Sequence, residues 1–222
     1  MLPRIVLFDL IGTLTNPWRQ PSPDEKLELI GALQEEGLRI SSQEFDAALN
    51  FSLYINCPRN RFSTTRELIL DVVRLLGESA SKTTVKILDK ELQRRSPVLK
   101  PYIKEILGEL RAYGIMSAVV TDLPAFFTHN LRDELEGFID KWFSSSDIGV
   151  SKGHPDFFQR ILEKLRVDEP GSILVVSSDE LLDFRIPKAA GTQLLYIGEK
   201  EQTSSLRSIE ELPNFFKAQI NM

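Results

Sequence analysis

Four stretches of this chain end an apolar run on side chains that can attack, bind or neutralise charge. Ile5-Val6-Leu7-Phe8 stops at Asp9, and a Gly12-Thr13 turn follows. Ala118-Val119-Val120 stops at Thr121-Asp122, and Ile173-Leu174-Val175-Val176 stops at Ser177-Ser178-Asp179, with Asp183 one helical turn further on. Between these two lies Ser151-Lys152-Gly153-His154-Pro155-Asp156. A carboxylate, a hydroxyl, an amine and a carboxylate pair gathered at one place form a set suited to moving a phosphoryl group. Asp9 attacks, Thr121 and Lys152 hold the phosphate oxygens, and the acidic pair holds Mg²⁺ against the accumulated charge.

These groups meet only if their elements bring them to one edge. Apolar runs at Ile5–Phe8, Ser117–Val120, Ile173–Val176 and Leu194–Ile197, with a weaker one near Trp142–Phe143, predict strands. Helical spacing fills the intervals at Tyr102–Tyr113, Phe126–Leu135, Asp156–Leu165 and Asp183–Ala190. Strands alternating with helices imply a parallel sheet, and a carboxylate at the end of a central strand sits where open α/β sheets bind ligands. The interval between Leu14 and Pro101 differs: Asp24–Glu36, Ser42–Leu53, Thr64–Leu76 and Thr83–Arg94 are all helix-like, with no convincing strand among them. Ser42 is expected to cap the second of these helices, and Ser63 or Thr64 the next. Prolines near both ends of the interval suit hinges at Asn16–Pro23 and Ser96–Pro101. The expected division is a core of residues 1–15 and 98–222, with a helical cap of residues 16–97.

The 222 residues carry a net charge of −5 and 42% hydrophobic residues, ordinary for a globular chain and without a broad basic surface for nucleic acid. A single cysteine, Cys57, rules out an intrachain disulfide and a cysteine zinc cage. No apolar run approaches the roughly 18 residues of a membrane span, and the first one is cut short by Asp9. The expectation is a cytoplasmic protein, monomer or homodimer, acting on a small phosphorylated or otherwise anionic molecule. The two histidines, His129 and His154, are not placed as bases, and Cys57 is expected to be packed. Arg59-Asn60-Arg61 in the insert is either an anion grip or a solvated loop, and Trp18 is a candidate pocket wall.

In order and spacing these motifs resemble the haloacid dehalogenase superfamily of aspartate-nucleophile hydrolases, across nearly the whole chain. The resemblance implies a Rossmann-like doubly wound α/β core with a helical cap. It assigns Asp9 as nucleophile, Thr121 and Lys152 as the second- and third-motif residues, and Asp179 and Asp183 as the acidic fourth motif. Mg²⁺ is then expected on Asp9, the Ile11 backbone carbonyl, Asp179 and Asp183, and substrate on Gly12, Thr13, Thr121, Asp122 and Lys152. The chain departs from the pattern at Ile11, where phosphatases of this family usually carry a second Asp that protonates the leaving group. It also departs at Asp122, Gly153 and Ser178, where Asn, Pro and Gly are usual. Three readings stay open: a phosphatase without its usual acid, a 2-haloacid dehalogenase, whose halide leaves without a proton, and a fold kept for binding alone.

Overall fold

The computed structural model describes residues 2–199 and 204–220. Six strands form one parallel sheet: β1 (Ile5–Asp9), β2 (Met116–Thr121), β3 (Lys141–Ser144), β4 (Ile173–Ser177), β5 (Gln193–Ile197) and β6 (Ser205–Leu206). Their order across the sheet is β3-β2-β1-β4-β5-β6, so the chain builds outward from β1 on one side and then resumes on the other. The reversal falls between β1 and β4, and the crevice beyond the carboxyl ends of those two strands is where such sheets take ligands. Asp9 ends β1 and Ser177 ends β4; Thr121 ends β2 and lies level with Ser144 of β3.

Successive side chains of β1 leave opposite faces of the sheet, and both faces are apolar because both are covered. Val6 and Phe8 join one core cluster with Val119, Leu174, Leu107 and Phe216; Ile5 and Leu7 join another with Val120, Val175, Phe157 and Ile161. Each such side chain, fully buried, contributes about 1.5–3 kcal/mol.

Residues 16–97 fold as helices alone: α1 (Pro23–Glu35), α2 (Ser42–Phe51), α3 (Cys57–Asn60), α4 (Thr65–Leu75) and α5 (Lys82–Arg94). The remaining helices are α6 (Ile103–Ala112), α7 (Ala125–Glu134), α8 (Ser145–Ile148), α9 (Pro155–Leu165), α10 (Glu180–Asp183), α11 (Arg185–Ala189) and α12 (Leu212–Ile220). Capping boxes open α1 (Ser22 with Glu25), α2 (Ser41 with Glu44) and α4 (Thr64 with Glu67). The cap of α2 is therefore Ser41 and not Ser42, because it is Ser41 that stands three residues before the reciprocating glutamate. The expected helix Asp183–Ala190 is instead two pieces, α10 and α11, broken at Phe184. Pro187 lacks the N–H that would bond the carbonyl of Asp183, so one continuous helix is disfavoured there. The other bounds agree with the sequence reading to within two residues, and β6, α3, α8 and α12 are additions.

The two linkers to the helical insert run side by side. Asn16 N–H donates to Val98 O (2.9 Å), Lys100 N–H donates to Leu14 O (3.0 Å), and Thr15 bridges Leu99 antiparallel. Inside the insert, the chain leaves α2 through a bulged turn at Ser52–Asn56 that is tied to α4 by one buried carboxylate. Asp71 accepts from Ser52 Oγ (2.7 Å), Asn56 Nδ2 (2.8 Å) and Arg74 (2.5 Å). Burial alone would raise this carboxyl, but the donors from Arg74, Asn56 and Ser52 outweigh it and hold the group below its ordinary value. A folded-state pKa below the unfolded one gives stability that is full above the unfolded carboxylate range and lost as pH falls through the folded value. Asp71→Ala strands two buried donors and is expected to cost about 2 kcal/mol or more in urea unfolding at pH 7. Asp71→Asn, which keeps an acceptor, is expected to cost less, and the deficit of Asp71→Ala should shrink as the pH is taken down through the carboxylate range.

Candidate active site

The turn after β1 is set by one glycine. Ile11 is extended (φ −77°, ψ 125°), Gly12 takes φ 79°, and Thr15 N–H closes the turn on Leu10 O at 3.0 Å. A Cβ on Gly12 would stand 2.7 Å from Ser178 Oγ as well as forcing a left-handed side-chain conformation. That close approach lets the two loops be stitched together: Ser178 N–H donates to Thr13 Oγ1 at 2.9 Å, and the Thr13 hydroxyl lies 3.4 Å from Asp9 Oδ2. Ser177 Oγ in turn donates to Asp183 Oδ2 at 2.5 Å and accepts from Asp179 N–H at 2.9 Å. The β1 and β4 loops thus carry Asp9, Asp179 and Asp183 as one hydrogen-bonded assembly.

Lys152 enters from the other side, on the loop before α9. Its ammonium lies 2.5 Å from Asp9 Oδ1 and 2.7 Å from Asp183 Oδ1. The loop is anchored by Asp122, whose carboxylate accepts from Lys152 N–H at 2.7 Å, while Ser145 Oγ donates to the Asp122 carbonyl at 2.8 Å. Thr121, at the end of β2, accepts from Leu123 N–H at 3.1 Å. These groups face a cleft of about 160 Å³, lined by Thr121, Asp122, Lys152, Asp9, Asp179 and Asp183. Ile11, Trp18, Tyr54 and Leu123 complete its wall.

The electrostatics follow from burial. Loss of water raises the Asp9 carboxyl to about 6; the Lys152 charge opposes the rise, and Asp183 adds to it. Burial would also lower the Lys152 ammonium, but the carboxylates of Asp9, Asp183 and Asp122 hold it well above its ordinary value. Four carboxylates and one ammonium line the cleft, an excess of negative charge. Asp183 Oδ1 is buried and, despite its charge contact with Lys152, has no aligned hydrogen bond.

This chemistry fits a hard divalent cation. Among the described residues, no three His, Cys, Asp or Glu side chains come together as a ready-made metal cage. Mg²⁺ does not need one, because it keeps several waters and binds through one or two carboxylates plus substrate oxygens. The excess charge of the cleft supplies the attraction.

Residues 3–191 match the haloacid dehalogenase-like hydrolases. The chain belongs to this family. Over 105 residues it is 31% identical to phosphoglycolate phosphatase of Escherichia coli (strain K12), a stretch that covers 46% of this chain and 40% of that enzyme. The match thus spans less than half the length of that curated relative. Among solved structures, the 2-haloacid dehalogenase of Pseudomonas syringae pv. Tomato DC3000 superimposes with a TM-score of 0.67 at 18% identity, covering 99% of this chain and all of the other. The L-2-haloacid dehalogenase of Xanthobacter autotrophicus gives 0.63 at 16% identity, covering 97% and 99%. A HAD phosphatase from Thermococcus onnurineus gives 0.59 at 22%, covering 97% of each chain. These likenesses speak for the fold.

The structure brings Asp9, Ile11, Thr121, Asp122, Lys152, Asp179 and Asp183 to the same cleft, as the motif order led us to expect. Gly12 and Thr13 are not on its wall. Thr13 is fully buried and shapes the turn, and the Gly12 carbonyl accepts from the Lys100 ammonium. Asp183 does not cap a helix; it ends α10, and its carboxylate faces Ser177 and Lys152. Asp183 is buried, whereas Asp179 is exposed to the cleft. Sequence reasoning missed Tyr54, which the bulged turn of the insert carries into the wall, and Lys100, which the return linker lays against the nucleophile turn. Trp18 lines the cleft, edge-on to Phe127 at 5.3 Å. His154 is exposed, its Nδ1 accepting from Asp156 N–H at the start of α9. Cys57 is buried beside Ser146 Oγ (3.5 Å), and desolvation lifts its thiol to about 11, so it is no nucleophile. Arg59 and Arg61 are exposed, with the Arg61 guanidinium lying over Gly149 rather than in the cleft.

Lys152→Met leaves Asp9 and Asp183 facing each other without their shared counter-charge, and is expected to cost about 3–5 kcal/mol in thermal or urea unfolding. Adding Asp183→Asn should recover part of that loss, since one of the two facing charges is then gone.

Proposed function

We propose that this hydrolase is a phosphatase that transfers a phosphoryl group from a small phosphomonoester to Asp9 and then to water. The observation that supports this most directly is the acidic excess around the Asp9–Lys152–Asp183 contact. Carbon–halogen hydrolysis has no use for the second acidic pair, whereas a phosphatase needs a divalent cation there. In this reading Mg²⁺ is held by Asp9, Asp179 and the Ile11 carbonyl, with Asp183 completing the set. It supplies charge neutralisation of the phosphoryl oxygens.

Asp9 Oδ attacks phosphorus in line as the bond to the leaving oxygen breaks, giving an aspartyl-phosphate. Water then displaces Asp9 from phosphorus, releasing inorganic phosphate and restoring the carboxylate. Lys152 and the Thr121 hydroxyl stabilise charge on the equatorial oxygens, and Lys152 also keeps Asp9 ionised against the effect of burial. No acid stands at position 11, so the leaving oxygen departs as an anion. General acid–base help of this kind is worth about 10²–10⁴ in rate, roughly 3–5 kcal/mol of barrier. We read residues 16–97 as a cap whose paired linkers form the hinge, admitting substrate and then excluding water.

A dehalogenase reading is favoured by Ile11, since halide needs no proton. It is disfavoured by the cleft, whose four carboxylates exceed what halide displacement by a single aspartate requires.

Hydrolysis of 4-nitrophenyl phosphate is the direct test. Turnover should be lost in Asp9→Asn, lost on EDTA treatment and restored by Mg²⁺. Turnover that persists in Asp9→Asn would overturn the assignment. Halide release from 2-chloropropionate without phosphate release would favour the alternative.

Ile11→Asp restores the missing acid and should raise kcat by about tenfold or more with poor leaving groups such as alkyl phosphates. The aspartyl-phosphate of the unmodified protein should persist long enough to be trapped by acid quench. A folded Ile11→Asp protein with unchanged or slower turnover would refute this account of position 11.

A further inference from the structure

Beyond the phosphoryl-binding groups, the cleft has a leaving-group side. Ile11, Trp18, Tyr54 and Leu123 form an apolar and aromatic wall. The Trp18 ring is fixed edge-on against Phe127 (5.3 Å, 82°), which limits its freedom to swing aside. Tyr54 is held by the bulged turn whose Ser52 and Asn56 side chains are tied to Asp71. Tyr54 keeps 43% of its surface exposed, and partial loss of water raises its phenol above the ordinary value.

The same wall contains no spare positive charge. The Lys152 ammonium is shared by Asp9 and Asp183. None of the insert's arginines lines the cleft, and three of them are paired away from it: Arg74 with Asp71, Arg94 with Glu25, and Arg95 with Glu91. Asp122 adds a further carboxylate to the cleft lining. A leaving group that carries a carboxylate or a second phosphate would bury its charge unpaired, next to like charge. A flat apolar leaving group buries no unpaired charge and gains contact with two aromatic side chains, Trp18 and Tyr54.

From this wall, and resting on the phosphatase reading, we infer that the substrate class is phosphomonoesters whose only anionic group is the phosphate and whose leaving group is a flat, apolar phenol. Position 11 points the same way. An aryl oxide leaves far more readily than an alkoxide without a proton from the enzyme, and the departing oxygen takes its proton from solvent once released. Asp9 gains the P–O bond as the P–O(aryl) bond breaks, and water later returns Asp9 to its free carboxylate, so no oxidant or further reactant is consumed.

The experiment compares kcat/KM of the full chain with Mg²⁺ for phenyl phosphate, 4-carboxyphenyl phosphate and acetyl phosphate, each beside Asp9→Asn. Acetyl phosphate needs neither the aromatic wall nor an acid, and reports phosphoryl transfer itself. Phenyl phosphate is expected to exceed 4-carboxyphenyl phosphate by at least about tenfold. Tyr54→Arg, which puts a cation in the wall, should reduce that ratio by about tenfold. Trp18→Ala should lower the ratio of phenyl phosphate to acetyl phosphate by a similar factor. Hydrolysis of acetyl phosphate with equal kcat/KM for both aryl esters would overturn the inference and leave the phosphatase reading standing. Asp9-dependent hydrolysis of none of the three would overturn both. The comparison on the unmodified chain decides the matter even where a variant fails to fold, and a preference that both folded variants preserve would remove Trp18 and Tyr54 from its cause.

Discussion

A single ammonium held between two buried carboxylates organises this structure. Asp9 and Asp183 come from loops 174 residues apart in sequence, at the ends of β1 and β4, and would repel each other across the switch point of the sheet. Lys152 turns that repulsion into a bridge, and the rest of the site is arranged to keep it there. Asp122 holds the Lys152 backbone, Ser177 holds the far oxygen of Asp183, and Thr13 and Ser178 lock the two loops at the distance the bridge requires. Gly12 belongs to the same constraint, because any side chain there would push Ser178 away and open the seam. Motifs scattered along the chain are thus parts of one electrostatic contact.

The insert is coupled to that contact at several points. Its linkers pair with each other directly beyond the nucleophile turn, and Lys100 on the return linker caps the Gly12 carbonyl. Trp18 packs on Phe127 of the core, and α3 rests on α8 through Cys57 and Ser146. Movement of the helices about these linkers would therefore be felt first at residues 11–14, which are the residues that place Asp9. A cap proposed to gate water has, in this chain, a short mechanical path to Asp9.

The strand ends were legible in the sequence because an apolar run and the polar residue that stops it are both local. The sheet follows from those runs alternating with helical spacing, and with it the convergence of Asp9, Thr121, Lys152 and the acidic pair. What stayed hidden is non-local or depends on exact backbone geometry. Tyr54 has no sequence mark, since its place in the cleft is made by a bulge that Asp71 stabilises from another helix. Lys100 is an unremarkable lysine until two linkers pair. Ser41 and Ser42 are both plausible caps until Glu44 chooses between them. The break at Phe184 was readable in principle, because Pro187 stands four residues after Asp183 and removes the bond a continuous helix needs.

Two of the departures from the family pattern, Ile11 and Asp122, make sense together as a matter of charge. With Asp at position 11 and Asn at 122, the cleft would hold the same number of carboxylates that it holds with Ile11 and Asp122. The chain has in effect moved one negative charge from the leaving-group side to the loop that braces Lys152. Asp122 Oδ1 accepts the Lys152 backbone N–H, its charge adds to the field that favours the ammonium, and the wall at Ile11 stays apolar. In the proposed phosphatase mechanism the cost is an absent proton donor, which weighs least on leaving groups that need no proton. On the phosphatase reading proposed above, Ile11 and Asp122 therefore belong together, the one leaving the wall beside Trp18 and Tyr54 apolar and the other bracing the Lys152 loop.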